Sequence, residues 1–300
     1  MSRPNVLDGE KWKSRQLIVL PALAAVLFLL EGGTLIPSFA SAQESNEPKA
    51  SDWVQEVGAN ELKAQKEDHT QWRYCYRKEE PGRSEIREKI ETEDGTLDAL
   101  LSVNGRALNA DERRKEETRL QKKVMGGDEH RRKVKEDADE ATGLLKLLPE
   151  MLLYEYDGKA GDLIRLNFSP NPRFHPPSRE AKVFHSMEGT MLVDAKEKRL
   201  AWIEGHLTDE VKFGGGLLGR LEKGGTFTVE RSEVGAGHWE ITFADIRMRG
   251  KVLLFKTISV QQQEYRTDFR RMPDDLSLQQ AAQILGKENS LMTQAQPSQR

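Results

Sequence analysis

The chain has a single cysteine, Cys75, in 300 residues. That excludes an intramolecular disulfide and any cysteine-based zinc cluster, and a lone thiol is most often a small buried hydrophobe. It also lacks an excess charge of either sign. Forty-six Lys and Arg against 49 Asp and Glu leave a formal net charge of -3, and with no basic domain there is no electrostatic footprint for a nucleic acid. The six histidines (His69, His130, His175, His185, His206, His238) fall with no H-x-x-x-H or H-x-H spacing, so no metal ligands are nominated. No G-x-S-x-G occurs, and no S-x-x-K with partners. Gly219 to Thr226 approaches a phosphate loop, but Gly225 stands where the lysine belongs and the segment leads into a strand pattern rather than a helix. These glycines serve a turn. No catalytic residue, cofactor or metal emerges, and the chain reads as a non-enzyme.

Long apolar runs are nearly absent as well. The one that stands out, residues 17–30, follows Arg3, Lys11, Lys13 and Arg15 and precedes Glu31-Gly32-Gly33 and Ala40-Ser41-Ala42. A basic region, 14 apolar residues and an A-x-A site together match a secretory signal peptide. A membrane span needs roughly 20 apolar residues. Cleavage after Ala42 and export to the periplasm or beyond is the expectation, with retention as an N-terminal anchor the alternative. In an envelope compartment the scarcity of cysteine reflects a fold that does without disulfides.

What is present is mostly alternation. Residues 51–66 have a helical pattern with Trp53, Val54, Val57 and Leu62 on one side and Ser51 or Asp52 as N-cap. Trp72, Tyr74 and Tyr76 alternate with Arg73, Cys75 and Arg77, a strand with an aromatic face. Residues 83–92 and 97–103 are further strands around an Asp94-Gly95 turn, and Asn104-Gly105 makes a tight hairpin. Asn109 and Glu112 have capping-box spacing. After them, twenty of the thirty residues 111–140 are charged, with both signs mixed at i,i+4 distances. Gly126-Gly127 splits this stretch into two helices, Asp128 can cap the second, and Pro149 ends it. Residues 151–156 and 163–168 form a hairpin, the proline-rich 169–177 a stiff loop, and residues 179–184 a short helix or turn.

Residues 184–271 then read as five or six strands that gather Trp202, Phe213, Phe227, Trp239, Phe243, Phe255, Tyr265 and Phe269. Phe227, Val229 and Arg231 face one way. Trp239, Ile241 and Phe243 share a face, but the apolar phase shifts to Ile246 and Met248, so a β-bulge or bend is expected near Ala244-Asp245. Residues 252–260 read as one central strand. A helix at 276–285 and a Gln/Ser-rich tail close the chain. The fold class is α+β: a curved antiparallel sheet, an incomplete β-barrel, with packed helices and a charged helical insertion. Residues 1–42 are the signal peptide, 43–70 a linker and helix, 71–271 one curved-sheet domain with the insertion at 109–148, and 272–300 the terminal helix and tail.

The order of features in 184–271 carries a resemblance. Glu188-Gly189-Thr190-Met191-Leu192-Val193-Asp194 leads to Arg199-Leu200-Ala201-Trp202-Ile203-Glu204-Gly205. The glycine-rich Phe213 to Gly219 precedes Lys223-Gly224-Gly225-Thr226-Phe227, and His238-Trp239-Glu240 opens a strand ending in Arg249-Gly250-Lys251. This resembles exported bacterial envelope proteins of the outer-membrane lipoprotein carrier (LolA/LolB-like) fold, over about residues 71–271. The resemblance implies a concave apolar sheet face that holds a lipid or a lipoprotein acyl chain without catalysis. Trp202, Phe213, Phe227, Trp239, Phe243 and Phe255 are the candidate lining. The alternative is a ligand-free envelope scaffold that meets a protein partner through the helices of 109–148 or the proline-rich loop. A filled interior favours the scaffold, an open apolar cleft the carrier.

Overall fold

The computed structural model describes residues 49–252 and 256–294, with backbone only at 128–130 and 287–294. The leader with its cleavage point, Phe255 and the tail beyond Gln294 lie outside the described residues.

The strands are β1 (Gln71–Glu80), β2 (Arg83–Ile90), β3 (Leu97–Val103), β4 (Arg106–Ala107), β5 (Leu152–Ala160), β6 (Leu163–Pro170), β7 (Met187–Asp194), β8 (Leu200–Leu207), β9 (Val211–Phe213), β10 (Gly219–Leu221), β11 (Thr226–Gly235), β12 (His238–Val252) and β13 (Lys256–Met272). The helices are α1 (Ala50–Glu67), α2 (Ala110–Met125), α3 (Gly127–Met151), α4 (Arg179–His185) and α5 (Leu278–Gln294). All thirteen strands join one antiparallel sheet in the order β4-β3-β2-β1-β13-β12-β11-β8-β7-β6-β5, with a β9–β10 hairpin attached to β12. The sheet is curved and does not close into a barrel.

Local chemistry explains most boundaries. Asp52 accepts a hydrogen bond from the Lys49 N–H at 3.2 Å, so α1 begins one residue before the expected caps. Asn109 and Glu112 form the reciprocal capping box of α2, at 2.9 and 2.8 Å. Asn104 (φ 51°) and Gly105 (φ 72°) give the left-handed pair that a two-residue hairpin requires. Pro149 does not end α3, which runs on to Met151. A proline in the last turn removes only the bond to the Leu145 carbonyl, and Gly58 of α1 faces that carbonyl with room to spare.

Two expectations change. Residues 184–271 hold seven strands, because the glycine-rich connection contains the β9–β10 hairpin. The apolar stretch 252–260 is not one strand: Val252 ends β12 and pairs antiparallel with Lys256, which opens β13. Phe269 leaves the phase of Tyr265 and Thr267 because Asp268 takes a left-handed conformation (φ 58°), and Phe269 stacks on Tyr74 at 5.1 Å.

Cross-strand register separates the two faces. On the inner face Leu166, Met191, Ile203, Val229 and Ala244 stand in one row, and Phe168, Gly189, Gly205, Phe227 and Ile246 in the next. A Cβ at Gly189 would lie 2.0 Å from the Glu204 carbonyl oxygen, and one at Gly205 2.8 Å from Phe227 and 3.1 Å from Phe168. The two aromatic rings thus cover a glycine pair in mid-sheet, a position only glycine fits. Helices α1, α3 and α4 pack over these rows with Trp53, Val54, Val57, Ala141, Leu144, Ala181, Val183 and Phe184. At the other end of the sheet α5 and Leu120 of α2 cover Ile90, Leu97 and Ala99, and by register these side chains share the outer face with Arg73 and Arg77. Glu116 of α2 accepts the Leu100 N–H at 2.7 Å, so the helix satisfies part of an edge strand that would otherwise invite pairing.

The expected phase shift is a β-bulge. Glu230 pairs with Phe243 but Arg231 pairs with Ile241, so Thr242 is the extra residue, two positions before Ala244. Near this point the sheet forks. β12 and β13 pair from Val252↔Lys256 to Phe243↔Tyr265, after which β12 follows β11 to His238 and β13 follows β1 to Met272.

Candidate binding faces of the sheet

The five predicted lining residues that the structure describes do not share a face. Phe227 (3% exposed) lies in the core beneath α1, and Phe213 packs against the same core from β9. Trp239 is buried on the Ile241 side of the fork. Trp202 and Phe243 point to the outer face. A register shift between Leu192/Val193 and Trp202/Leu200 leaves Ala201 as the extra residue beside Trp202, and the Thr242 bulge turns Phe243 away from Ile241. Alternation assigns faces correctly only until a bulge intervenes.

On the inner face the described helices pack down on the sheet. Between α1, α3 and the sheet there remains a cavity of about 50 Å³, lined among others by Val57, Leu145, Phe168, Met187, Met191 and Phe227. A buried ion cluster pins α1 over it. Glu61 (1% exposed) accepts from Arg231 Nη1 at 2.9 Å and pairs with Arg199 Nη2 at 3.1 Å. Burial pushes the Arg199 guanidinium below its ordinary range, Glu61 pulls it back up, and Arg231 adds to the lowering. Arg231 also donates to the Trp239 carbonyl at 2.5 Å. Around this centre, Asn60 Nδ2 donates to the Glu197 carbonyl at 3.3 Å, and Lys198 Nζ sits 3.3 Å from the centre of the Trp53 ring and 3.4 Å from Glu56. The sequence pattern carried the signal: Arg231 is in phase with Phe227 and Val229, and Glu61 rather than Leu62 continues the Val54–Val57 side of α1. A charge on each of two apolar faces implies that they meet.

At the C-terminal end of α1, Asp68, Thr70 and His238 come together. Asp68 Oδ2 lies 2.6 Å from His238 Nδ1, and the Thr70 hydroxyl lies 2.8 Å from Asp68 Oδ1 and 3.2 Å from the same Nδ1. The residue types suggest a nucleophile, base and orienting carboxylate, but the geometry does not. In such a triad hydroxyl and carboxylate use opposite ring nitrogens, whereas here both approach Nδ1. The trio fastens α1 to the fork, where Glu240 and Arg266, both buried, face each other at 3.9 Å.

Four other perturbed groups are half-buried and serve packing within the protein. Burial lowers the Lys89 ammonium to about 7; Arg266 adds to the lowering, Glu264 and Asp98 oppose it, and Nζ rests 3.5 Å from the Tyr76 ring centre. Burial pushes the Cys75 thiol up, with Asp268 and Glu88 adding to it, so Cys75 is not a ready thiolate. Burial and then Glu180 raise the Glu140 carboxyl to about 7, a carboxyl contact between α3 and α4. Burial also raises Asp98, but Lys123, Arg119 and Arg87 outweigh it and hold the carboxyl well below its usual range. Among the described residues no group of three or more His, Cys, Asp or Glu is placed to hold a metal ion.

The outer face is different. Arg165, Leu192, Trp202, Glu230, Phe243, Tyr265 and Arg77 stand in one cross-strand row through seven strands. Around Trp202 this row forms an open trough of about 590 Å³, with Leu163, Leu192 and Ala201 as apolar surface and Arg165, Thr190, Glu204 and Glu230 as polar groups.

No family model, curated protein or solved structure matches this chain.

Proposed function

We propose that this is an exported, non-catalytic interaction protein of the cell envelope whose partner meets the uncovered part of the outer face of the sheet, around Trp202. In this reading the architecture is an incomplete β-barrel, and the charged helices α2 and α3 are an insertion that shields its edge. The observation that supports it is the contrast between the two faces. Sites for small molecules occupy roughly 300–1,000 Å³; the cavity beneath α1 on the inner face holds about 50 Å³, while the outer trough around Trp202 offers about 590 Å³. An acyl carrier working through the inner face has to lift α1, and with it Glu61 from Arg199 and Arg231. The charged helices are less suited to carry the partner than the sequence implied, because Glu116, Arg119 and Lys123 are spent on Leu100 and Asp98 of the protein itself.

A photoreactive residue placed at Leu192 on the outer face or at Ile203 on the inner face tests this reading in the native envelope. Adducts to one discrete partner are expected from position 192 and not from 203. Lipid adducts from 203 would instead favour the carrier.

A further inference from the structure

Resting on that reading, the outer trough can be given a chemistry. Register places Glu230 directly opposite Trp202, and Thr190 and Thr228 opposite Glu204, two residues further along the same strand and on the same face. Cross-strand neighbours stand about 5 Å apart and i,i+2 neighbours about 7 Å. Two carboxylates therefore flank one half-exposed indole. Both glutamates are exposed, and among the described residues neither side chain has a hydrogen bond or ion pair. Other carboxylates on this sheet surface do have partners: Asp245 holds Arg247 at 2.7 Å, Glu79 holds Arg77 at 3.2 Å, and Glu88 holds Arg73.

The chain itself shows what such a set of groups holds. Lys198 lies over the Trp53 ring at 3.3 Å with Glu56 at 3.4 Å from its Nζ. Arg77 lies over the Tyr265 ring at 4.0 Å with Glu79 at 3.2 Å. In both places an aromatic ring and a glutamate grip one cation through ring quadrupole and carboxylate together. Trp202, Glu204 and Glu230 repeat the arrangement with a second carboxylate and, among the described residues, no cation seated there. Arg231, next to Glu230 in the trough lining, turns its side chain to the inner face, where it has no exposed surface and is held by Glu61.

We propose that the Trp202 trough binds a lysine or arginine side chain of the partner, its ammonium or guanidinium seated on the indole between Glu204 and Glu230. Arg165, two strands away and so about 10 Å from Trp202, limits the trough to one cation and suits a carboxylate of the partner next to it.

The test uses the full-length chain and a tri-lysine peptide blocked at both ends, with its fully Nε-acetylated form as the control. The indole N–H resonance of Trp202, assigned by its loss in Trp202→Phe, is followed by NMR at low salt. A saturable shift with tri-lysine, weakening as salt rises and absent with the acetylated peptide, is expected. Glu230→Gln should weaken binding about fivefold, one surface charge pair in water, and Glu204→Gln with Glu230→Gln should nearly abolish it. The resonances of the other tryptophans report that each variant is folded. No saturable shift, equal shifts with the acetylated peptide, or an unaffected double variant overturns the proposal. If that happens while position 192 still gives its discrete adduct, the cation site fails and the outer-face reading stands. Loss of both outcomes removes the reading itself.

Discussion

Replacing Glu61 with alanine destabilises the protein by about 3–5 kcal/mol, the cost of removing one partner from a buried ion set. Arg231 has no exposed side-chain surface and Arg199 only 7%, so neither guanidinium can turn to water without moving α1. Their mutual repulsion, which Glu61 now offsets most strongly, would be left to the weaker pull of Asp68 and Glu240. Against a total stability of about 5–15 kcal/mol for an ordinary domain, that is roughly a fifth or more of what holds the fold. Urea unfolding curves of wild type and Glu61→Ala measure it. A companion variant separates the charge effect from lost packing: with Glu61→Leu, Arg199→Met and Arg231→Met together, most of the stability should return, since apolar replacement of a whole buried ion set is often neutral. A loss below about 1 kcal/mol in Glu61→Ala, the level of an exposed pair, would mean that α1 is not pinned as described.

Phe227→Ala is expected to cost about 3–5 kcal/mol as well, the usual range for truncating a buried aromatic. The ring covers Gly205 and lies against Phe168 and the α1 contact surface, and no neighbour can fill the space, because the glycine pair beneath it offers no side chain. If Phe227 lined an open acyl site, its removal would merely widen a cleft and cost little. Trp202→Ala on the outer face serves as the comparison, with a much smaller effect expected at a half-exposed position. Calorimetric unfolding of the two variants side by side reads the difference. Equal losses would contradict the assignment of the two rings to a core and a surface.

Much of the architecture is legible in the sequence because it rests on local rules. The Trp72-Tyr74-Tyr76 alternation, the Asn104-Gly105 turn and the Asn109–Glu112 box each specify a strand, a hairpin and a helix start through contacts within a few residues. The site was less legible, for two physical reasons. Bulges at Ala201 and Thr242 break the period of two, so aromatic residues that look like one lining are divided between opposite faces. The pairing of Glu61 with Arg199 and Arg231 joins positions far apart in the chain, and only the presence of each charge on an apolar face hinted at it. The apolar stretch around residues 252–260 misled for a related reason: hydrophobicity alone does not tell one strand from parts of two neighbouring ones.

The central claim is that the inner face of this sheet is a filled core and that binding takes place outside. Native mass spectrometry of the protein after gentle purification from its envelope, and again after incubation with fatty acid and phospholipid, tests it most directly. The account predicts a lipid-free mass in both spectra. A stoichiometric acyl lipid that survives in wild type and is lost in Phe227→Ala but not in Trp202→Ala would contradict it.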